Sequence, residues 1–268
     1  MIHCQRDFTI MVNAVSAPTV DAYWTFQTIQ QNLSFPGSFD ILDLVNSVDL
    51  VFSGTWFAPP PLPVYNNATG IIGNGLACHE EGAGASFGVF GNAHLGIQTA
   101  NGWSVFGWFK VLHWADDLPF NTGWSTAPNL TISNEIIISW DPLGNGGFGA
   151  NGPANSVQFS TQDNNFNVFQ PTNFVPTIGQ WYFFHFFFDG THVGYSINNG
   201  APVLDLSGVA VFSPEASGDF SISQRWAKLD TATTSLIIDE VGLKLSRMLT
   251  PTEVTYLYNG GAGRTWPL

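Results

Sequence analysis

The chain has 268 residues, with 7 Lys and Arg against 20 Asp and Glu, so its formal net charge at pH 7 is −13. Charged residues make up 10% of the sequence, where a typical soluble domain has roughly 25%, and aromatic residues make up 15%. So few cations cannot form the basic stripe that follows a nucleic acid or docks on an anionic membrane, and we expect neither partner. The apolar content of 44% excludes a disordered chain.

The N-terminal 18 residues are predicted to form an arm or an extra edge strand, and residues 19–268 a single domain, because composition does not shift and no fixed-length repeat occurs. Phe8–Val12 is shorter than the ~7–15 apolar residues of a secretory signal. Val15–Ala17 resembles a cleavage site, but we expect no signal peptide. Cys4 and Cys78 can pair, yet two cysteines do not define a disulfide framework, which leaves the redox compartment open.

Aromatic and β-branched residues come in runs that end at Gly, Asn, Asp or Pro, which is typical of β-strands. The predicted strands are Trp103–Val111, Ser133–Trp140, Ser156–Thr161, Asn165–Gln170, Trp181–Phe188, His192–Ile197, Asp219–Trp226 and Ser235–Leu245. Turn signals such as Asp189–Gly190 separate them, and no long helical period intervenes. The spacing predicts an all-β fold, an antiparallel sandwich or jelly roll of two sheets.

One short helix is predicted near the C-terminus. Thr250, Pro251 and Glu253 occupy the N-cap, N1 and N3 positions of a capping box, and Gly260 and Gly261 end the helix.

The strand Trp181–Phe188 is apolar on both faces, although one face of a sheet in a two-layer sandwich is normally wet. Trp103–Trp114 shows the same doubling, with Trp114 predicted on the face of Trp108. Something therefore covers the outer face of these strands. The cover is either the chain's own loops, within Leu50–Val64 or Pro119–Pro128, or a neighbouring subunit, which would make interface residues of Phe183, His185 and Phe187.

The segment His113–Asn129 combines aromatic residues with carboxylates and amides, the mixture that binds sugars by stacking and by hydrogen bonds to hydroxyls. The candidate glycan-binding residues are Trp114, Asp116, Asp117 and Trp124. In the alternative interpretation the two tryptophans cap the hydrophobic core or contact a neighbouring subunit, while the aspartates face water.

The chain is predicted not to be an enzyme. Glycoside hydrolysis needs two carboxyl groups that point into one cleft. Asp239 and Glu240 are adjacent in a predicted strand, so their side chains are expected on opposite faces of the sheet.

The C-terminal sequence SLIIDEVGLKLSRMLTPTEVTYLYNGGAG, residues Ser235–Gly263, resembles the closing signature of LamG-like domains of the concanavalin A-like lectin and glucanase superfamily. AYWTF at Ala22–Phe26 and GIIGNGLAC at Gly70–Cys78 are similar to earlier segments of that family. The resemblance implies a two-sheet jelly roll with one short C-terminal helix, and it implies little about the ligand. It also implies a Ca²⁺ site, for which Asp43, Asn46 and Asp239 are the candidates. In the alternative, Asp239 or Glu240 hydrogen-bonds backbone groups without an ion.

Similar domains occur in bacteriophage structural proteins. Residues Tyr258–Gly263 of this chain resemble the Tyr-Asn-Gly-Gly-Ala-Gly sequence with which those domains end. Our first hypothesis is a non-enzymatic virion protein, a capsid decoration or tail-fibre component that contacts copies of itself or other virion proteins, with host glycans as a further partner. The second is an extracellular or cell-surface carbohydrate-binding module or adhesin, with a calcium-braced glycan site.

Overall fold

The computed structural model describes residues 17–27, 29–31, 39–46, 50–52, 67–78, 89–91, 101–114, 122–125, 135–141, 152–212, 221–222 and 235–265. Strands dominate these ranges, and one short helix follows them. The strands are β1 Ala22–Trp24, β2 Ile29–Gln31, β3 Phe39–Ile41, β4 Leu50–Phe52, β5 Asn67–Thr69, β6 Asn74–Cys78, β7 Val89–Gly91, β8 Trp103–His113, β9 Thr122–Ser125, β10 Glu135–Asp141, β11 Ser156–Gln162, β12 Val168–Phe169, β13 Trp181–Phe188, β14 Val193–Ile197, β15 Val203–Leu204, β16 Ser221–Ile222 and β17 Ser235–Lys244. Helix α1 spans Pro251–Tyr258, and a 3₁₀ turn follows at Asn259–Gly261.

The described strands form two antiparallel sheets. The first has the order β15-β14-β13-β8-β17-β6-β5, with β1 also paired to β17. The second has the order β12-β11-β10-β9-β16-β7-β4-β3-β2. The predicted all-β sandwich with a short C-terminal helix is therefore confirmed. Within the described ranges, no helix is long and apolar enough to cross a membrane.

The main core lies between the two sheets and is rich in aromatic rings. Phe159 of β11 stacks on Tyr195 of β14, with ring centroids 4.4 Å apart, and also contacts Phe184 and Phe186 of β13. Trp140 of β10 meets the ring of Phe109 edge-on at 5.4 Å. Each such ring buries roughly 150–250 Å² when it leaves water, so these contacts hold the sheets face to face.

A second, smaller core covers the outer face of the first sheet. Trp108 of β8 and Phe183 of β13 pack there, with ring centroids 5.3 Å apart, and Val254 and Leu257 of α1 lie over them. Tyr258 stacks on Trp108 at 5.8 Å. The chain thus covers this face itself, and the face does not depend on a neighbouring subunit for its cover. The cover is the C-terminal helix, however, and the proposed covering loops lie mostly outside the described residues.

The predicted capping box fixes where α1 begins. Thr250 accepts the backbone N–H of Glu253 at 3.3 Å, and the Glu253 side chain accepts the N–H of Thr250 at 2.8 Å. Arg247 donates two hydrogen bonds to the same carboxylate, at 2.6 and 2.8 Å. This bidentate pair ties the start of the helix to the segment that follows β17.

One predicted strand is much shorter than expected. Asn165–Gln170 was predicted as a strand, but β12 contains Val168 and Phe169 alone. The buried Asp163 carboxylate accepts the backbone N–H groups of Asn165 and Asn167, each at 2.9 Å, and so folds these residues into a tight loop. Of the predicted N-terminal arm, residues 1–16 lie outside the described part of the chain.

The second core leaves no space beside Gly242 of β17. A Cβ at this position would collide with the ring of Phe106. We predict that Gly242→Ala lowers the free energy of unfolding by about 1–3 kcal/mol, the usual cost of overpacking, in a urea titration. Gly208→Ala is the matched control, because its Cβ would meet its nearest atom at an ordinary 3.6 Å. Equal stability of the two variants would contradict this packing.

Candidate functional site

A β-bulge in β17 brings Asp239 and Glu240 to the same side of the sheet. Asp239 pairs with Trp108 of β8, and Gly242 pairs with Phe106. Between these two pairs β17 therefore contains one residue more than β8. Glu240 takes the left-handed conformation, with φ of 50°. Such a bulge re-aims the side chain, and Glu240 joins Asp239 on the outer face. The expectation that the two point to opposite faces was wrong, because strict alternation ends at the bulge.

The loop Gly70–Asn74 encloses Asp239. Its carboxylate accepts the N–H of Ile72 at 3.1 Å and that of Glu240 at 2.9 Å, and its side chain is 0% exposed. A Cβ on Gly70 would collide with the carboxylate, so this close approach requires glycine. Gln27 holds the loop from the other side by donating to the carbonyl of Ile72 and accepting the N–H of Asn74.

Glu240 lies beneath the C-terminal tail, residues 259–265. The hydroxyl of Tyr23 is 2.7 Å from Glu240 Oε2 and 2.8 Å from the carbonyl oxygen of Arg264. A phenol has one proton for these two acceptors. Both contacts become hydrogen bonds when Glu240 is protonated and donates to Tyr23, which then donates to Arg264. The pair is therefore linked to the tail through Tyr23.

Burial controls the protonation of these groups. Burial raises the pKa of Asp239 to about 8, and the negative charge of Glu240 raises it further. The backbone N–H groups that donate to Asp239 act in the opposite direction and lower its pKa. Burial also raises the pKa of Glu240 to about 7, opposed by the hydrogen bond from Tyr23. The pKa of Tyr23 lies well above its ordinary value, first through burial and then through the charge of Glu240. Near neutral pH the folded chain therefore holds protons on the carboxyl pair.

Two carboxyl groups with raised pKa values resemble the acid and base of a hydrolase. Here, however, Asp239 is 0% and Glu240 1% exposed, so a substrate cannot reach them while the tail and the Gly70–Asn74 loop stay in place. Their contacts join β17 to that loop, β1 and the C-terminal tail. This agrees with the alternative in which Asp239 or Glu240 hydrogen-bonds backbone groups. The sequence signal that could have located the pair is an Asp-Glu dipeptide in a strand whose two faces are both packed.

The predicted calcium ligands Asp43 and Asn46 bind backbone groups. Asp43 already accepts three backbone N–H groups, from Tyr23 at 2.7 Å, Val45 at 3.1 Å and Asn46 at 2.8 Å. The Asn46 amide donates to the carbonyl of Asp21. Among the described residues, no group of three or more His, Cys, Asp or Glu could hold a metal ion. Asp43 thus fastens its loop to β1, and calcium stays a prediction that these contacts do not support.

The predicted glycan residues are only partly placed. Trp114 is 8% exposed and belongs to the core between the sheets, so it offers no free ring face to a sugar. The cause is a register shift in β8, where His113 pairs with Ser235 but Val111 with Leu236, which turns Trp114 inward and leaves Leu112 exposed. Trp124 lies in β9 in register with Ile138. Asp116 and Asp117 lie outside the described residues.

The predicted interface residues Phe183, His185 and Phe187 are between 1% and 3% exposed. The prediction that they contact a neighbouring subunit was wrong, because all three are buried within the chain itself, Phe183 in the small core that α1 completes. His185 Nε2 lies 2.7 Å from the hydroxyl of Ser104, which also accepts the N–H of Leu249 at 2.9 Å. Burial lowers the pKa of His185 to about 3, so the ring is neutral and structural.

The fold resembles several carbohydrate-binding and receptor-binding domains. Domain 4 of AbnA, an extracellular arabinanase of Geobacillus stearothermophilus, solved with arabinotriose, superposes with a TM-score of 0.57 at 19% identity, over 93% of this chain and 100% of that one. The botulinum neurotoxin serotype D binding domain gives 0.52 at 12% identity, and a Trypanosoma rangeli sialidase 0.52 at 14%.

This chain spans 52% of the neurotoxin domain and 34% of the sialidase, matching 88% and 93% of its own length. At these identities the likeness establishes a shared β-sandwich fold. Neither a protein-family model nor a curated protein sequence matches the chain.

The carboxyl pair predicts a specific pH dependence of stability. The folded chain keeps protons that unfolded carboxyls, with pKa values near 4, have already released, so the free energy of unfolding falls as pH rises. We predict a loss of about 2 kcal/mol between about pH 6.5 and 8, measured by urea unfolding. His185, with its lowered pKa, acts in the opposite direction but only below this window.

Glu240→Gln removes one titrating group and should reduce this loss by about half. Glu253→Gln is the control, because the Arg247 hydrogen bonds lower the pKa of Glu253 to about 2, so that it stays charged throughout the window. This control should keep the slope of the parent chain. A free energy of unfolding that stays flat or rises over the window in the parent chain would contradict protonation of the pair.

Proposed function

We propose that this chain is a non-catalytic recognition domain that binds a glycan. The observation that carries the proposal is the enclosure of the Asp239–Glu240 pair, which removes from reach the carboxyl groups of the described residues best suited to hydrolysis. Domain 4 of AbnA, which has the same fold, was solved with arabinotriose. The sandwich supports such a role because its loops can vary while the two cores hold them in place.

The glycan is proposed to be neutral. An acidic sugar needs a cation to pair with its carboxylate. Within the described residues the lysines and arginines are already engaged: Lys110 lies over the ring of Trp181, Lys244 pairs with Asp21, Arg247 with Glu253, and the Arg264 guanidinium lies over the ring of Tyr256. With a net charge of −13, the chain also repels anions at long range.

The proposed binding segment remains the part of the chain between β8 and β10, which includes β9, with Asp116, Asp117 and Trp124 as the contact residues. Trp114 leaves this set, because it lies in the core. Trp114 comes shortly before Asp116 and Asp117 in the chain, and its burial in the core fixes the position at which this segment starts.

A role in a virus particle is proposed as the setting of this binding. It rests on the resemblance of the Tyr258–Gly263 ending to bacteriophage structural proteins and on the low charge content of the chain. Mass spectrometry of purified particles tests it: the chain should appear at a fixed copy number per particle. Its recovery from the surface of a cell, and not from particles, would instead favour the adhesin or carbohydrate-binding module.

A glycan array followed by isothermal titration calorimetry tests the binding itself. We expect at least one neutral oligosaccharide to bind with a Kd of roughly 1 μM to 1 mM, without release of new reducing ends. Asp116→Asn or Asp117→Asn should weaken this binding at least tenfold at unchanged thermal stability. Asp189→Asn is the matched control. It makes the same change at an exposed aspartate in the turn between β13 and β14, outside the proposed binding segment, and should leave glycan binding unchanged.

Two results would overturn the proposal. One is the absence of binding to every glycan on the array. The other is cleavage of a glycan that is lost in Glu240→Gln, which would make the enclosed pair catalytic.

A further inference from the structure

One edge of the sandwich exposes an unusual number of apolar side chains. We call this set the edge strip, and its members are between 36% and 72% exposed. They are Phe166, Val168, Val203, Leu204, Leu206, Val209 and Val211. By contrast, the outer face of β8 and β13, where the sequence predicted an interface, is closed by α1.

The strip is continuous because the segment after β15 runs from one sheet to the other. Ala210 donates its N–H to the carbonyl of Thr191, in the turn between β13 and β14. Val211 donates to the Asp163 carboxylate and accepts the N–H of Asn164, beside Phe166. Ala210 and Phe212 point into the core, so the alternating side chains of Val209 and Val211 point to solvent.

The backbone of Phe166 has a strained, left-handed conformation that lowers the stability of the fold. Its φ is 63°, a left-handed value that costs a bulky residue roughly 1–2 kcal/mol, and its side chain is 62% exposed. Four N–H donors fix the Asp163 carboxylate that shapes this loop, two from backbone of the loop, one from the Asn167 side chain and one from Val211. Strain of this kind is typical of binding sites.

The edge strip carries little charge, which makes a second copy of this acidic chain a suitable partner. Segments 162–170 and 203–212 contain no Lys, Arg or Glu, and their two aspartates, Asp163 and Asp205, are hydrogen-bonded by backbone N–H groups. The other 18 of the 20 acidic residues lie elsewhere in the chain. Two copies would therefore repel each other over most of their surface, whereas at this strip the like charges are limited to the buried Asp163 and to Asp205, which backbone N–H groups bind.

The size of the strip is suited to a dimer. Its side chains expose on the order of 500 Å² of apolar surface, at the upper end for the largest patch on a monomer. A standard interface buries about 800 Å² on each partner, and the polar rim can supply the remainder. Among the described strands, β15 is the last of the first sheet, so its outer backbone edge can pair with the same strand of a second copy.

We propose that two copies of this chain associate through the edge strip, with Phe166 as the buried anchor of a two-fold symmetric interface. The arrangement is independent of the glycan proposal. It moves self-association from the outer face of β13 to the edge formed by β12, β15 and the segment that joins the sheets.

Light scattering coupled to size-exclusion chromatography, together with sedimentation equilibrium, tests the proposal. The parent chain should have twice its 29.1 kDa mass at about 100 μM. Phe166→Asn should raise the dissociation constant at least tenfold. In dilute solution, where both chains are monomers, this variant should be as stable as the parent or more stable, because Asn is favoured in the left-handed conformation.

Leu206→Asp is a second variant, which places like charges against each other in the dimer and should also give monomers. Ile178→Asn is the matched control, since Ile178 is 54% exposed on the loop before β13 and lies outside the strip. A monomeric parent chain at about 100 μM would overturn the proposal. So would a dimer that resists both strip variants, a dimer that Ile178→Asn disrupts equally, or a loss of glycan binding in Phe166→Asn at unchanged mass.

Discussion

The structure depends on one constraint: the sheet that contains β8, β13 and β17 is apolar on both faces, so it has to be covered twice. The second sheet covers the inner face, as in any sandwich. The outer face is covered by a single short helix, whose Val254 and Leu257 pack on Phe106, Trp108 and Phe183. The capping box and the Arg247–Glu253 pair therefore matter beyond the helix itself, because they decide where this cover begins.

The enclosed carboxyl pair follows from the same arrangement. Once the helix lies across the outer face, the tail after it has to run back toward β1, and Tyr23 meets the Arg264 carbonyl there. The bulge at Glu240 turns a carboxyl group into the closed space between tail and sheet. The result is a polar link between β1, β17 and the tail whose strength depends on protonation. Its position accounts for an Asp-Glu pair in this fold without invoking catalysis.

Sequence reasoning was reliable where the pattern is local and repeated. It located the long strands, the doubled aromatic faces and the helix with its cap, because alternation and capping depend on a few neighbouring residues. It failed where one residue interrupts the alternation: at Leu112, which turns Trp114 inward, and at Glu240, which joins Asp239 on one face. Neither bulge has a clear local signal. The pinned loop at Phe166 was missed for a related reason, since Asp163 acts through contacts with Val211, 48 residues away.

The cover of the outer face by α1 is the central claim, and one stability measurement tests it most directly. Leu257 is buried at the helix–sheet contact and touches no proposed binding surface. Leu257→Ala should lower the free energy of unfolding by about 2–5 kcal/mol in a urea titration, while the exposed Thr252→Ala stays within about 0.5 kcal/mol of the parent chain. If Leu257→Ala were as stable as Thr252→Ala, the helix would not cover the sheet, and the aromatic face would again be available to a partner.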